Sequence, residues 1–260
     1  MLGGCEEMKN KPTFRNIENY SEIIEENDFF IQLTNEEIPD RYDANYVLLK
    51  FSPSLQEFKV IEKMHKEYQE SIQQMHLKFV WPDNIGLHPE LLTYFDQESY
   101  EIGMQYLYWV SSERFNIKNI NKTLSIQKVT NQNFDDFLKL NLEEDILHGT
   151  KFSEHKKRMY AYQYQMENTT FILAYLNNEP VGSLILIDSK NYLEVDNVLT
   201  KSEFRGNKIA ATMLNYVVNK LKKKEQFVIL VADAEDTPKE MYEKMGFQYT
   251  AYQITAQKNL

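Results

Sequence analysis

The 260-residue chain holds a single cysteine, Cys5, and five scattered histidines. A lone thiol cannot close an internal disulfide, and no Cys/His spacing suits zinc, so no metal is expected. No apolar run nears the roughly 18 residues of a membrane span, and no basic segment followed by an apolar one opens the chain. The sequence therefore reads as cytoplasmic, with no membrane partner. Leu2-Gly3-Gly4-Cys5 looks like a lipidation box, but no apolar helix precedes it to insert the chain, and Met8 is an alternative start. A linker rich in Pro, Gly and Ser is also missing, which implies halves that pack closely.

Basic surplus is absent as well. Residues 1–120 carry 11 Lys/Arg against 21 Asp/Glu, and residues 121–260 carry 18 of each, so the whole net charge of −10 lies in the first half. An acidic chain without a basic stripe is a poor nucleic-acid binder, because phosphate neutralisation supplies most non-specific affinity. What is present is core material: 42% of residues are hydrophobic and 13% aromatic, which excludes disorder as the main description. At about 150 residues per domain, the length favours two modest domains or one large one.

The turn-prone run Ser111 to Thr123 follows the aromatic stretch Gln105 to Trp109, and the join is placed there, giving domains 1–118 and 119–260. The second half reads β-α-α-β-β-β-α-β-α-β. Leu124 to Val129 alternates as a half-buried strand, and helical spacing covers Asn133 to Leu147 and Glu154 to Met166. Asn177-Asn178 breaks two apolar runs as a hairpin turn. A strand from Tyr192 to Thr200 leads into a helix from about Asn207 to Lys224; a buried strand, a short helix from Pro238 to Met245 and a last strand from Phe247 to Thr255 follow.

The entry of strand into helix through Arg205-Gly206 exposes unpaired N–H groups and the positive end of the helix dipole, a ready anion site. An ordinary strand-to-helix turn would look the same. Glu194 and Asp196 alternate with apolar Leu193, Val195 and Val198, making one face of the strand acidic; such carboxylates serve as bases or lie in a solvated or salt-bridged face. Glu143, Glu144, Asp145 and His148 end the first helix and read as a solvated face.

Over residues 124–260 this order of elements, with EFRGNKIAATML after one strand and MYEKMGF after the next, resembles the GCN5-related N-acetyltransferase (GNAT) family. The family's R/Q-x-x-G-x-G/A pattern falls on Arg205-Gly206-Asn207-Lys208-Ile209-Ala210, with Lys208 replacing the middle glycine. The resemblance implies acetyl-CoA as cosubstrate, with backbone groups of Val198, Leu199 and Thr200 pairing with the pantetheine arm. Arg205, Gly206, Asn207, Lys208, Ile209, Ala210 and Ala211 would hold the pyrophosphate. It also implies Tyr242 as the acid that protonates the departing thiolate, since a phenol's pKa of about 10 lies not far above a thiol's about 8.5. Glu194 or Asp196 would be the base. The asparagine that the family often carries seven residues before its tyrosine is here Glu235, beside Asp236.

An internal echo extends this reading to the first half. Asp43 to Lys50 resembles Val195 to Lys201, Leu77 to Asp83 resembles Phe227 to Asp233, and Leu91 to Glu101 resembles Pro238 to Gln248, with Phe95 on Tyr242. Where the second copy has Arg205-Gly206, the first has Phe51 to Glu57 without a glycine. The expected fold is α/β (α+β), with two GNAT-like domains, each a mixed, centrally splayed sheet flanked by helices, the first degenerate and non-catalytic. The expected activity is transfer of an acetyl group to a small-molecule or peptide amine in a ternary complex, by a monomer or homodimer. The alternative is a non-catalytic acyl-CoA-binding regulatory or scaffold protein.

Overall fold

A computed structural model describes residues 11–117, 119–223, 225–234 and 239–260. Cys5, Met8, Glu235, Asp236 and Pro238 lie outside the described residues. The chain forms two compact units. One contains residues 11–107, 232–234 and 250–260, and the other contains 239–249 and the described part of 108–231. The division expected between 118 and 119 is linear, whereas the contacts group the last eleven residues with the first unit.

The first unit begins with the antiparallel strands β1 (Glu22–Glu26), β2 (Phe30–Thr34) and β3 (Tyr46–Leu49). Helix α1 (Leu55–Ser71) then crosses to β4 (His76–Val80), which runs parallel to β3 through the pairs Val47↔Phe79 and Leu48↔Val80. Helix α2 (Pro89–Gln97) and β5 (Glu101–Val110), whose residues 101–107 lie in this unit, complete the local run. The sheet order is β1-β2-β3-β4-β11-β5, with β11 (Gln248–Asn259) antiparallel to β4 from Thr255↔Val80 to Asn259↔His76. Phe58, Phe79, Trp81, Phe95 and Tyr100 interlock as the aromatic centre of its core, with Phe58 and Phe95 edge to face at 5.0 Å.

In the second unit the sheet order is β10-β9-β8-β7-β6: β6 is Ser125–Lys128, β7 Thr169–Leu176, β8 Glu179–Asp188, β9 Tyr192–Thr200 and β10 Phe227–Asp233. The turn between β7 and β8 places Asn177 and Asn178 at φ 52° and 66°, the left-handed geometry that asparagine tolerates and a tight hairpin needs. Helices α3 (Phe134–Asp145) and α4 (Thr150–Tyr164) precede β7, α5 (Ile209–Tyr216) joins β9 to β10, and α6 (Lys239–Lys244) follows β10. The helix expected to run unbroken to Lys224 instead widens into a π-type turn over Val217–Leu221. The order β3-α1-β4-α2-β5 in one unit matches β9-α5-β10-α6-β11 along the chain, the repeat that the sequence echo implied. Among the described residues the first unit has no counterpart of α3 and α4.

Candidate active site

The geometry of β9 is set by two interruptions. Its parallel register with β10 runs only from Tyr192↔Phe227 to Val195↔Leu230, although β9 continues to Thr200. Asp196 to Thr200 thus carry no register partner on that side among the described residues, the central splay of this sheet. On the other side, Ser183 pairs with Leu199 and Ile185 with Asp196, so Asn197 and Val198 together face Leu184. That is a β-bulge, which re-aims the backbone locally. Asn197 sits at φ 49°, the left-handed region that asparagine enters more readily than other side chains.

Residues paired across a ladder share a face of the sheet. Ser183 contacts Asn141 of α3, so Asp196 and Glu194, opposite Ile185 and Ile187, project toward the side covered by α3 and α4. Glu194 is buried and Asp196 half-buried. Asp196 contributes to raising the Tyr160 phenol. Tyr160 itself is buried and donates to Asp145 Oδ2 at 3.0 Å. Its pKa is pushed far above the ordinary phenol range by burial first and by the Asp145 charge second. Asp145 was expected on a solvated face, but it is buried because it ends α3 against Tyr160. Burial raises its carboxyl pKa, opposed by the Lys156 cation and the Tyr160 hydrogen bond. Lys156 lies 4.9 Å from the Tyr160 ring centre and 3.4 Å from Asn197 Oδ1. Two carboxylates, a phenol and an ammonium thus meet beside the bulge. Glu143 and His148 remain exposed, and half-buried Glu144 approaches Arg205 at 3.6 Å.

After β9 the chain makes one short 3-10 turn, Ser202–Phe204, and enters α5. Gly206 has φ 84°, and a side chain there would meet nothing within 4 Å. Lys208, where the resembled pattern has glycine, adopts φ 60° and ψ 28° as the N-cap, with no side-chain cap bond. The loop therefore keeps a glycine-like backbone path at a conformational cost of about 1 kcal/mol for a non-glycine residue. Arg205, Gly206, Asn207 and Lys208 are exposed, Ala210 and Ala211 half-buried and Ile209 buried. Ile209 explains the close helix approach: a β-carbon on Gly182 of β8 would lie 2.5 Å from its Cγ2. Val198, Leu199 and Thr200 are all half-buried. Lys201 is held by Glu179 at 2.8 Å and Glu203 at 3.2 Å, which raise its pKa in that order.

Tyr242 lies on α6 and is buried, with its ring 6.1 Å from Tyr108 and 5.6 Å from Phe247. Gly246 ends the turn at φ 93°, where a β-carbon would collide with the Arg114 carbonyl oxygen at 2.2 Å. Sequence reasoning missed the roles of Asn141, Ser183, Lys156 and Tyr160. Asn141, Lys156 and Tyr160 showed only as polar side chains at helix positions otherwise spaced for burial, and Ser183 as a lone hydroxyl within an apolar strand.

Residues 131–258 match the model of the acetyltransferase (GNAT) domain. This part of the chain is a GNAT acetyltransferase domain. Residues 13–108 match a domain of unknown function (DUF5613). An uncharacterized N-acetyltransferase of Methanocaldococcus jannaschii is 25% identical over 146 residues, which are 51% of this chain and 64% of that protein. The match thus spans less than two thirds of the curated relative's length. A functionally unknown conserved protein from Staphylococcus epidermidis superposes with a TM-score of 0.89 at 25% identity, over 96% of this chain and 99% of that one. A tandem GNAT protein from the clavulanic acid biosynthesis pathway shares the fold, with a TM-score of 0.55 at 9% identity over 88% of this chain and 78% of that one. The two units are two GNAT-like folds in one chain.

Proposed function

We propose that the protein is an N-acetyltransferase that binds acetyl-CoA and a primary amine together and transfers the acetyl group by direct attack. The observation that carries this reading is the junction of a bulged, splayed β9 with an α5 N-terminus that no side chain caps. In it, backbone groups of Val198, Leu199 and Thr200 pair with the pantetheine arm as an added strand would. The pyrophosphate rests on Arg205 to Ala211, where the first-turn amides of α5 and the positive helix end favour an anion, while the Arg205 and Asn207 amides already donate to the Ser202 and Phe204 carbonyls. Lys208 adds charge there.

A lysine-type ammonium, with a pKa of about 10.4, must lose a proton before it can attack. Asp196 or Glu194 accepts that proton, Asp196 being the less buried of the two. The amine nitrogen then forms the C–N bond, the C–S bond breaks, and Tyr242 protonates the leaving thiolate. The net change is ammonium plus acetyl-CoA to amide, CoA thiol and one proton. Backbone amides near Val198 polarise the thioester carbonyl as charge develops on its oxygen. The first copy is non-catalytic in this reading, and the enzyme acts as a monomer or homodimer in the cytoplasm.

Binding without transfer is the second reading, favoured by the Glu144–Arg205 pair at 3.6 Å and by Lys208 at a glycine position. The test is CoA-thiol release with a polyamine, an aminoglycoside, an amino acid and a peptide N-terminus as acceptors. Tyr242→Phe should lower turnover about 100-fold while acetyl-CoA binding stays nearly intact. If binding collapses and turnover per bound cofactor is unchanged, the tyrosine is structural. Cofactor binding with no release for any amine would favour the second reading.

A further inference from the structure

Asn141, fully buried on α3, spans the bulge from the helix side. Its Nδ2 donates to the Phe137 carbonyl at 2.9 Å and to Ser183 Oγ at 3.0 Å. Its Oδ1 accepts from Asn197 Nδ2 at 2.8 Å, and Ser183 Oγ lies 3.3 Å from the same oxygen. Ser183 stands on β8 at the last regular pair before the extra residue, and Asn197 is the left-handed residue of the bulge itself. One side chain therefore ties the two strands together across the irregularity. Lys156 of α4 holds the other end of the Asn197 amide at 3.4 Å. A buried amide with its donors and acceptor engaged is costly to disturb, because each lost partner leaves another polar group unpaired.

We propose that Asn141 is a positioning residue of the acetyl site: acting through Asn197 and Ser183, it fixes the bulge from which the Val198 amide polarises the thioester carbonyl. This rests on the acetyl-CoA reading above. A bulge without this tie is free to migrate along β9, since a one-residue shift of the extra residue costs only local pairing. The tie thus converts an adaptable strand defect into a fixed hydrogen-bond donor.

The experiment is isotope-edited infrared spectroscopy of [1-13C]acetyl-CoA bound to the full chain, with calorimetric affinity measured in parallel. The unaltered protein should shift the thioester carbonyl stretch to lower frequency than in free ligand. Asn141→Ala should return the band to the free position. Should that variant fail to fold, Asn197→Gly serves, because it keeps the left-handed backbone and removes only the side-chain tie. In either variant acetyl-CoA affinity should stay within about threefold, since the pyrophosphate loop is untouched. A shifted band that persists in folded variants overturns the positioning role. Binding to the unaltered protein with no band shift also overturns it and leaves the cofactor reading standing. No binding at all overturns both.

Discussion

The two units treat the helix that follows their central strand in opposite ways. In the first, Ser54 caps α1, accepting from the Glu57 amide while the Glu57 carboxylate accepts from the Ser54 amide at 2.8 Å. That carboxylate is held below its usual pKa range, first by the Ser54 hydroxyl and then by its amide. In the second, Lys208 is the N-cap of α5 and makes no side-chain cap bond, with Arg205 and Gly206 just before it. A reciprocal capping box satisfies orphan amides internally and places a negative charge where an anion would sit. One fold thus supplies a helix end capped by its own side chains and one that no side chain caps.

The cores differ too, and this gives the largest effect expected. The first unit buries His65 and His76, whose pKa values burial pushes down to about 3 and about 4. Their folded pKa values lie below the unfolded value of about 6.5, so the unfolded chain binds more protons between these limits. The stability they contribute is complete above about pH 6.5 and is lost as pH falls toward 4 and 3. At pH 5 the loss is about 2 kcal/mol for each histidine. Denaturant melts at pH 7.5 and 5.0 should show it, and His65→Phe should remove about half of the difference. An unchanged pH dependence in that variant would break the contrast.

Next in size is Gly182→Ala, which pushes a methyl into Ile209 at the start of α5 and should destabilise the second unit by about 1–3 kcal/mol, with weaker acetyl-CoA binding. Thermal melting and titration read both. A variant with unaltered melting and affinity would show that the close approach does not set the loop. The smallest effect sharpens the cap comparison: Ser54→Ala should cost about 1 kcal/mol of stability and leave acetyl-CoA affinity unchanged. A change of affinity would mean that the first helix end also binds cofactor.

Much of the second unit was legible in the sequence because its signals are local. Leu193 to Asp196 alternates apolar and acidic residues, Asn177-Asn178 dictates a turn, and Gly206 marks the entry to a helix that begins two residues later than expected, at Ile209. The bulge was not legible, since one extra residue in a strand leaves the apolar pattern nearly unchanged. Asn197 was its sole trace. Asp145 and Tyr160 are fifteen residues apart on different helices, and spacing alone could not reveal their hydrogen bond. The strands β1 and β2 escaped notice because Glu22–Glu26 is exposed throughout and Phe30–Thr34 is buried throughout, so neither shows alternation. The pairing of β11 with β4 is a contact across more than 170 residues, and nothing in either strand's own pattern names its partner.

The central claim is that the end of α5 that no side chain caps binds the cofactor's phosphates. Calorimetric titration of acetyl-CoA into the full chain, beside Gly206→Glu, tests it most directly. The account predicts binding at about micromolar Kd that the variant loses, because a carboxylate then stands where the pyrophosphate belongs and φ 84° strains any side chain. Equal binding by the variant, or none by the unaltered protein, would contradict it.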